Sequence, residues 1–248
     1  MCRLLAFSSP EPTSFADLLG EATRSFIDLS HKHADGWGAA WVTPDGTIGL
    51  RKSARPAFDD PEALSTLSDV RSTALIFHLR WASPGIPVTP ENAHPFLLGQ
   101  TAFAHNGSLD VTEALRANIP EDLKQGLEGT TDSEVYFRLA LAIRRGTGDG
   151  EPALSRAVQT IQDTCRHTGL NALLLTPDRL EAVCSFNPMS PILNDDRHYY
   201  DLHVSQVGRA TLVGSAGWDP ADGWDELGNG RILSVCHASS GRQVTDVA

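Results

Sequence analysis

The chain has 248 residues, 41% of them hydrophobic, and 20 basic against 31 acidic side chains give a formal charge of −11. A chain of this length builds a core that needs neither disulfides nor a structural metal, and its acidic balance excludes nucleic acid or an anionic membrane as the main partner, because both require a basic face. Apolar runs such as residues 172–176 are too short to span a bilayer and the N-terminus carries no apolar signal segment, so a cytoplasmic protein is expected.

In chain order, residues 2–7 read as a buried strand that begins at the terminus. Residues 14–27 carry Phe15, Leu18, Leu19 and Ala22 at helical spacing behind Ser14, a good N-cap. Strands at 38–42 and 47–52 flank Thr43-Pro44-Asp45-Gly46, a hairpin turn. A helix at 61–70 precedes a β-rich run at 73–79. The Pro- and Gly-rich segment 83–91 is a loop before a strand at 101–105. Residues 131–144 form the clearest helix: Val135, Leu139 and Ala142 share a face, and Asp132 and Glu134 suit its positive end. Residues 146–150 are a flexible connector to a second helix at 151–167. Strands follow at 170–176, 180–186, 199–204, 210–213 and 231–236. No repeat or composition break divides the chain, so one domain over residues 2–248 is expected, mixed α/β with antiparallel hairpins.

The four cysteines contain no C-x-x-C pair, and disulfides are not expected without an export signal. Cys165, Cys184 and Cys236 sit in apolar surroundings and read as small core residues. Cys2 differs. If Met1 is removed, the thiol of Cys2 and a free α-amine lie within a few atoms of each other, a nucleophile beside its own base. The amine, with a pKa near 8, has a useful neutral fraction at physiological pH.

Four further patches carry chemistry. His33-Ala34-Asp35-Gly36-Trp37-Gly38 is either a loose metal grouping with His31 or, better, a turn whose glycines allow close backbone approach. His78-Leu79-Arg80-Trp81-Ala82-Ser83 delivers an arginine to a loop edge, as a bidentate carboxylate binder or as a surface ion pair. Asn106-Gly107 is either a simple turn or two donors aimed at one oxyanion. Asp132 either caps its helix or receives a ligand's ammonium group. In combination they are the parts that hold the amino-acid end of glutamine and attack its γ-carbonyl.

These pieces, with Asn92-Ala93-His94-Pro95 and Thr131-Asp132-Ser133-Glu134, span Cys2 to Glu134 in the order of the class II glutamine amidotransferases, which the sequence resembles. The opening Cys-Arg-Leu-Leu-Ala-Phe and Ala-Asp-Gly-Trp-Gly are closer to a stand-alone group that includes the γ-glutamyl hydrolase of ergothioneine biosynthesis. The C-terminal part departs from the pattern: Ser215 is followed by Ala216 and Gly217 where the family usually has Glu-Pro. The resemblance implies an α+β fold, the four-layer αββα sandwich of two antiparallel sheets found in N-terminal-nucleophile hydrolases. It implies Cys2 as nucleophile with its amine as base, and Asn106 and Gly107 as the oxyanion hole. Arg80 would bind the substrate carboxylate and Asp132 its ammonium, while Ser83 replaces a common Thr and Trp81 and His94 support the pocket. Neither cofactor nor metal is expected.

The expected reaction is hydrolysis of a γ-glutamyl amide through a thioester, on a small-molecule substrate. The leaving group stays open. Because the family domain fills nearly the whole chain, a stand-alone hydrolase is expected first, then a glutaminase subunit feeding ammonia to a separate synthase, then a non-catalytic binding module. A homodimer is left open. The loops 85–91 and 188–196 are candidate specificity elements.

Overall fold

The computed structural model describes residues 2–126, 129–147, 152–218, 223–239 and 241–247. Met1, most of the expected connector at 148–150, the start of the second helix at Glu151 and the terminal Ala248 lie outside them. The elements run β1 (Arg3–Thr13), α1 (Phe15–Leu19), α2 (Ala22–Asp28), β2 (Trp37–Val42), β3 (Ile48–Ser53), α3 (Pro61–Asp69), β4 (Ser72–Leu79), β5 (Phe96–Leu98) and β6 (Thr101–Leu109). They continue with α4 (Glu113–Arg116), α5 (Glu121–Lys124), α6 (Asp132–Thr147), α7 (Ala153–Thr164), β7 (His167–Leu175), β8 (Arg179–Cys184), β9 (Leu202–Val207), β10 (Ala210–Ser215), β11 (Trp224–Glu226), β12 (Arg231–Cys236) and β13 (Arg242–Asp246).

Among the described residues two antiparallel sheets form, one ordered β11-β9-β10-β1-β4-β2-β3 and the other β13-β12-β8-β7-β6-β5. Side-chain alternation along the strands makes the layers. On β1, Leu4 and Ala6 point between the sheets, while Leu5 and Phe7 point outward onto α1–α3. On β6, Ala102 and Ala104 point between the sheets and Phe103 outward onto α6 and α7. The inner layer mixes alanines (Ala6, Ala40, Ala74, Ala102, Ala104, Ala182) with branched side chains such as Leu4, Ile76, Leu173 and Leu233, and among the described residues it contains no buried aromatic ring. This is the αββα sandwich, an α+β fold, as the resemblance implied; the alternation of strands and helices alone had suggested a looser α/β description.

The local expectations differ in several places: α6 runs on through Gly146 and Thr147, expected as connector; α7 ends at Thr164, so that His167, expected as its last residue, already lies in β7; and the strand expected from 199 begins at Leu202. The helix expected over 14–27 is two short helices, because Gly20 adopts φ 55° and its backbone N–H caps α1 on Ala16 O at 2.9 Å. Ser14 caps α1 as expected, accepting from Asp17 N at 3.1 Å. Of the expected core cysteines, Cys184 is buried, whereas Cys165 and Cys236 are half-buried; all are free thiols.

The alternation also builds the site. Leu4 pairs with His78 and Arg3 with Leu79 across β1 and β4, so Cys2 and Arg80 extend the same register past the end of the ladder. Both continue the inward-facing rows of their strands. On the other sheet, Asn106 continues the inward row of Ala102 and Ala104. Residues 2, 80 and 106 therefore converge where the two sheets face each other.

Candidate active site

Cys2 is 8% exposed. Its backbone nitrogen donates to Asn106 Oδ1 at 3.0 Å, and its Sγ lies 3.9 Å from Trp81 O. Burial pushes the thiol's pKa up, and the Trp81 carbonyl contact and the Arg80 and Arg3 guanidinia oppose that rise. A thiol held in its protonated form needs a base close by to become a nucleophile. The strand that carries Cys2 is pinned at its start, because Leu4 N donates to Ser215 Oγ at 3.0 Å. Ser215, the start of the altered C-terminal segment, thus holds the nucleophile's strand.

Arg80 is buried, with Nη2 donating to Pro87 O at 3.1 Å and Nη1 to Asp35 O at 3.4 Å. Among the described residues it makes no ion pair. Burial pulls its pKa down, while the nearby Cys2 and Asp35 raise it. The loop behind it is tied by Asp35: Asp35 N donates to Arg80 O, Arg80 N to Gly36 O, and Ala82 N to Asp35 Oδ2 at 2.8 Å. Asp35 is therefore a positioning residue for the Arg80 segment, which settles the second patch as a turn. The loose His31–His33–Asp35 metal grouping does not assemble: His31 stacks on Phe58, and His33 packs edge-on against Trp81.

Asn106 is fully buried, and its Nδ2 has no hydrogen-bond partner. An unpaired buried donor costs about 1–3 kcal/mol. Gly107 follows with φ 151°, and a Cβ there would lie 1.8 Å from Gly169 O, so the neighbouring strand requires glycine at this position. Gly38 meets a similar demand, because a Cβ there would lie 2.3 Å from the His94 carbonyl oxygen. That close approach seats the His94 segment against β2.

Asp132 opens α6. Its Oδ2 accepts from Leu109 N at 2.7 Å, which ties it to the end of β6, and its Oδ1 accepts from Ser133 N at 2.8 Å. The helix itself is capped by Thr131 Oγ1, which accepts from Glu134 N at 3.2 Å, so Asp132 is not the capping residue. Behind it, His105 Nδ1 pairs with Ser133 Oγ at 2.9 Å and His105 Nε2 with Gly169 O at 3.0 Å. The Nε2–H donates to the carbonyl; the Ser133 hydroxyl lies between His105 Nδ1 and Asp132 Oδ1, to which it donates at 3.3 Å, and burial holds the His105 pKa down.

Cys2, Arg80, Trp81, Ser83, His94, Gly107 and Asp132 line one cleft, and Asn106 lies beneath Cys2. All eight residues singled out from the sequence thus meet. Sequence reasoning missed Asn92, which joins two loops of the rim by donating to Pro87 O at 3.2 Å and accepting from Thr130 N at 2.9 Å. It also assigned no role to His78 and His105, although both stood in quoted motifs. Of the two candidate specificity loops, 85–91 contributes Ile86 to the cleft, whereas no residue of 188–196 lines it.

A sequence profile of the class II glutamine amidotransferases matches residues 1–235. The chain is similar to a γ-glutamyl-hercynylcysteine sulfoxide hydrolase of Mycolicibacterium smegmatis, with 27% identity over 244 residues, 95% of this chain and 96% of that protein. It is also similar to a glutamine–fructose-6-phosphate aminotransferase (isomerizing) of Corynebacterium diphtheriae, with 31% identity over 217 residues, covering 83% of this chain but 33% of that relative. Among solved structures, a glutamine aminotransferase class-II domain protein from Silicibacter pomeroyi has the same fold, with a TM-score of 0.68, 24% identity and full coverage of both chains.

Proposed function

The chain belongs to the class II glutamine amidotransferases, and from that premise we propose that it is a stand-alone amidohydrolase, one catalytic domain over residues 2–248. It cleaves the γ-glutamyl amide bond of a small glutamine-like or γ-glutamyl-conjugated metabolite through a γ-glutamyl thioester. The observation that carries this reading is a buried guanidinium, Arg80, that makes no ion pair among the described residues and shares a cleft with Asp132 and the Cys2 thiol. A buried charge is expensive unless something pairs with it. A substrate α-carboxylate would complete Arg80, and a substrate α-ammonium would complete Asp132. The match with a relative named as a γ-glutamyl hydrolase, over 95% of this chain and 96% of that protein, supports γ-glutamyl amide hydrolysis.

In this mechanism, removal of Met1 turns the Cys2 backbone nitrogen into a free amine that stays against Asn106 Oδ1. The amine takes the thiol proton as Sγ attacks the γ-carbonyl carbon. Asn106 Nδ2 and the Gly107 N–H receive the oxyanion. The Cys2 ammonium then protonates the leaving nitrogen, the C–N bond breaks, and a γ-glutamyl thioester remains. Water, deprotonated by the same amine, attacks the thioester and releases glutamate and the thiol.

The test is glutamate release by the isolated protein, comparing free glutamine with γ-glutamyl amides and γ-glutamyl thio-conjugates, alongside a mass spectrum of the mature chain. Efficient cleavage of a conjugate with Met1 absent supports the hydrolase. Glutaminase activity that appears only with an added synthase would instead make the protein an ammonia-supplying subunit. Retention of Met1 in an active preparation would remove the proposed base.

A further inference from the structure

Behind the nucleophile lie two histidines that the mechanism above does not use for proton transfer. His78 occupies the inward row of β4, two residues before Arg80, and His94 follows the short turn at 90–92. Both are at least 96% buried, and their rings pack at 4.3 Å between centroids. His78 Nε2 faces the His105 carbonyl oxygen at 3.3 Å, but His78 Nδ1 and both ring nitrogens of His94 have no hydrogen-bond partner. Three unsatisfied nitrogens in one buried spot are costly, at about 1–3 kcal/mol each.

A ring nitrogen from each histidine and the Cys2 Sγ all lie within 4.8 Å of one another. Among the described residues no other trio of Cys, His or carboxylate ligand atoms is so grouped. One sulfur and two imidazoles suit a thiophilic divalent ion in tetrahedral geometry. With metal–sulfur and metal–nitrogen bonds of about 2.3 and 2.0–2.1 Å, such ligands would stand about 3.3–3.8 Å apart. Side-chain rotations that close the trio by about 1 Å reach that spacing. Burial keeps both imidazoles neutral, with lone pairs available, and pushes the His78 pKa down to about 3. The fourth position opens to the cleft, where water or the freed Cys2 amine completes the set, the amine closing a chelate ring with its own sulfur. Arg80, in the same cleft, opposes a dication and keeps the site reversible.

We propose that Cys2, His78 and His94 form a binding site for a thiophilic divalent cation, Zn²⁺ being the best fit, that caps the nucleophile and holds the enzyme inactive until the ion is withdrawn. Binding replaces the S–H bond with a metal–sulfur bond and releases one proton to solvent. No electron is transferred, and the metal draws charge from the sulfur, so the capped sulfur is a weaker nucleophile than a free thiolate.

The site is tested on the mature full-length protein with Co²⁺ as a spectroscopic probe. One equivalent per chain should give a near-ultraviolet thiolate-to-cobalt charge-transfer band that excess Zn²⁺ abolishes. Cys2→Ala should lose the band, and His78→Gln and His94→Gln should each weaken binding by at least the about 10–100-fold that loss of an outer-shell partner costs. A band that survives in Cys2→Ala places the ion on another cysteine and overturns the proposal, as do two histidine variants that bind as tightly as the parent. If those variants fail to fold, the zinc-edge X-ray absorption spectrum of the unmutated protein decides: one sulfur with imidazole scattering upholds the site, and its absence overturns it. These readouts do not depend on the identity of the substrate. The capping step is read separately, as loss of glutamate release with equimolar Zn²⁺ and recovery with a chelator. Full activity with the site loaded would overturn the capping.

Discussion

Asn106→Ala separates what this residue does for catalysis from what it does for stability. The side chain has two ends with different employment: Oδ1 accepts from Cys2 N at 3.0 Å, and Nδ2 is buried with no partner. Deleting one oxyanion donor costs about 2.7–4 kcal/mol of transition-state stabilisation, so kcat should fall about 10²–10³-fold. The folded state exchanges one unpaired buried donor, Nδ2, for another, Cys2 N. The two penalties are of similar size, and the change in stability should stay within about 1 kcal/mol, or about 2–4 °C in Tm for a chain of this length. Asn106→Asp sharpens the comparison. It keeps an acceptor for Cys2 N but presents an acceptor where the oxyanion needs a donor, so it should lose at least as much activity as the alanine variant. The assays are saturating glutamate release from a γ-glutamyl amide and a thermal melt. A kcat within tenfold of the parent for either variant would refute the oxyanion assignment, and a drop of several kcal/mol in stability would refute the reading of Nδ2 as a donor kept free for the reaction.

Arg80→Ala removes the charge-assisted bonds to a substrate carboxylate, worth about 1.5–3 kcal/mol, so kcat/KM should fall about 10–100-fold. Arg80→Lys should recover only part of that loss, because an ammonium lacks the planar fork; full recovery would count against bidentate binding. Gly107→Ala would put a Cβ 1.8 Å from Gly169 O, and should cost more than about 3 kcal/mol in urea denaturation, beyond ordinary overpacking; near-parent stability would refute the close approach. His237 gives a pH signature away from the site. It is buried, with Nδ1 at 2.7 Å from Ser8 Oγ and Nε2 at 3.0 Å from Thr176 O, and burial holds its pKa below the usual 6.5. Below pH 6.5 the unfolded chain therefore binds a proton there that the folded chain refuses. Stability should fall as pH drops, by up to about 1.4 kcal/mol per pH unit until the lowered folded value is reached. His237→Gln should lower that slope below pH 6.5 by its own share, the rest coming from the likewise lowered His78, His94 and His105, and an unchanged slope would remove His237 as a contributor.

Much of the candidate site was legible because its chemistry is concentrated in short contiguous motifs. Arg80, Trp81 and Ser83 lie within four residues, Asn106 and Gly107 are adjacent, and Asp132 sits at a recognisable helix start. Asp132 shows the limit of that legibility: the sequence leaves capping and ligand binding both open, and only the structure shows that Thr131 is the cap. The break of residues 14–27 at Gly20 was missed for a different reason. Apolar spacing continues through the glycine, and nothing local reveals that its φ is positive. The half-burial of Cys165 and Cys236 was equally invisible, since apolar neighbours in sequence do not fix depth in the fold.

The sequence by itself determined the inventory: a cysteine at position 2, an arginine at a strand end, an Asn-Gly pair, and strands whose alternating side chains commit one face of each sheet to the other. These are properties of neighbours along the chain, and the periods of strand and helix expose them. Only the tertiary structure decided which inward-facing ends meet. Cys2 and Asn106 are 104 positions apart and hydrogen-bonded, and His78 and His94 come from a strand and a loop to share one dry space behind the thiol. Such contacts depend on how two sheets are stacked and on where Gly38 and Gly107 let backbones approach, and no local pattern encodes that stacking.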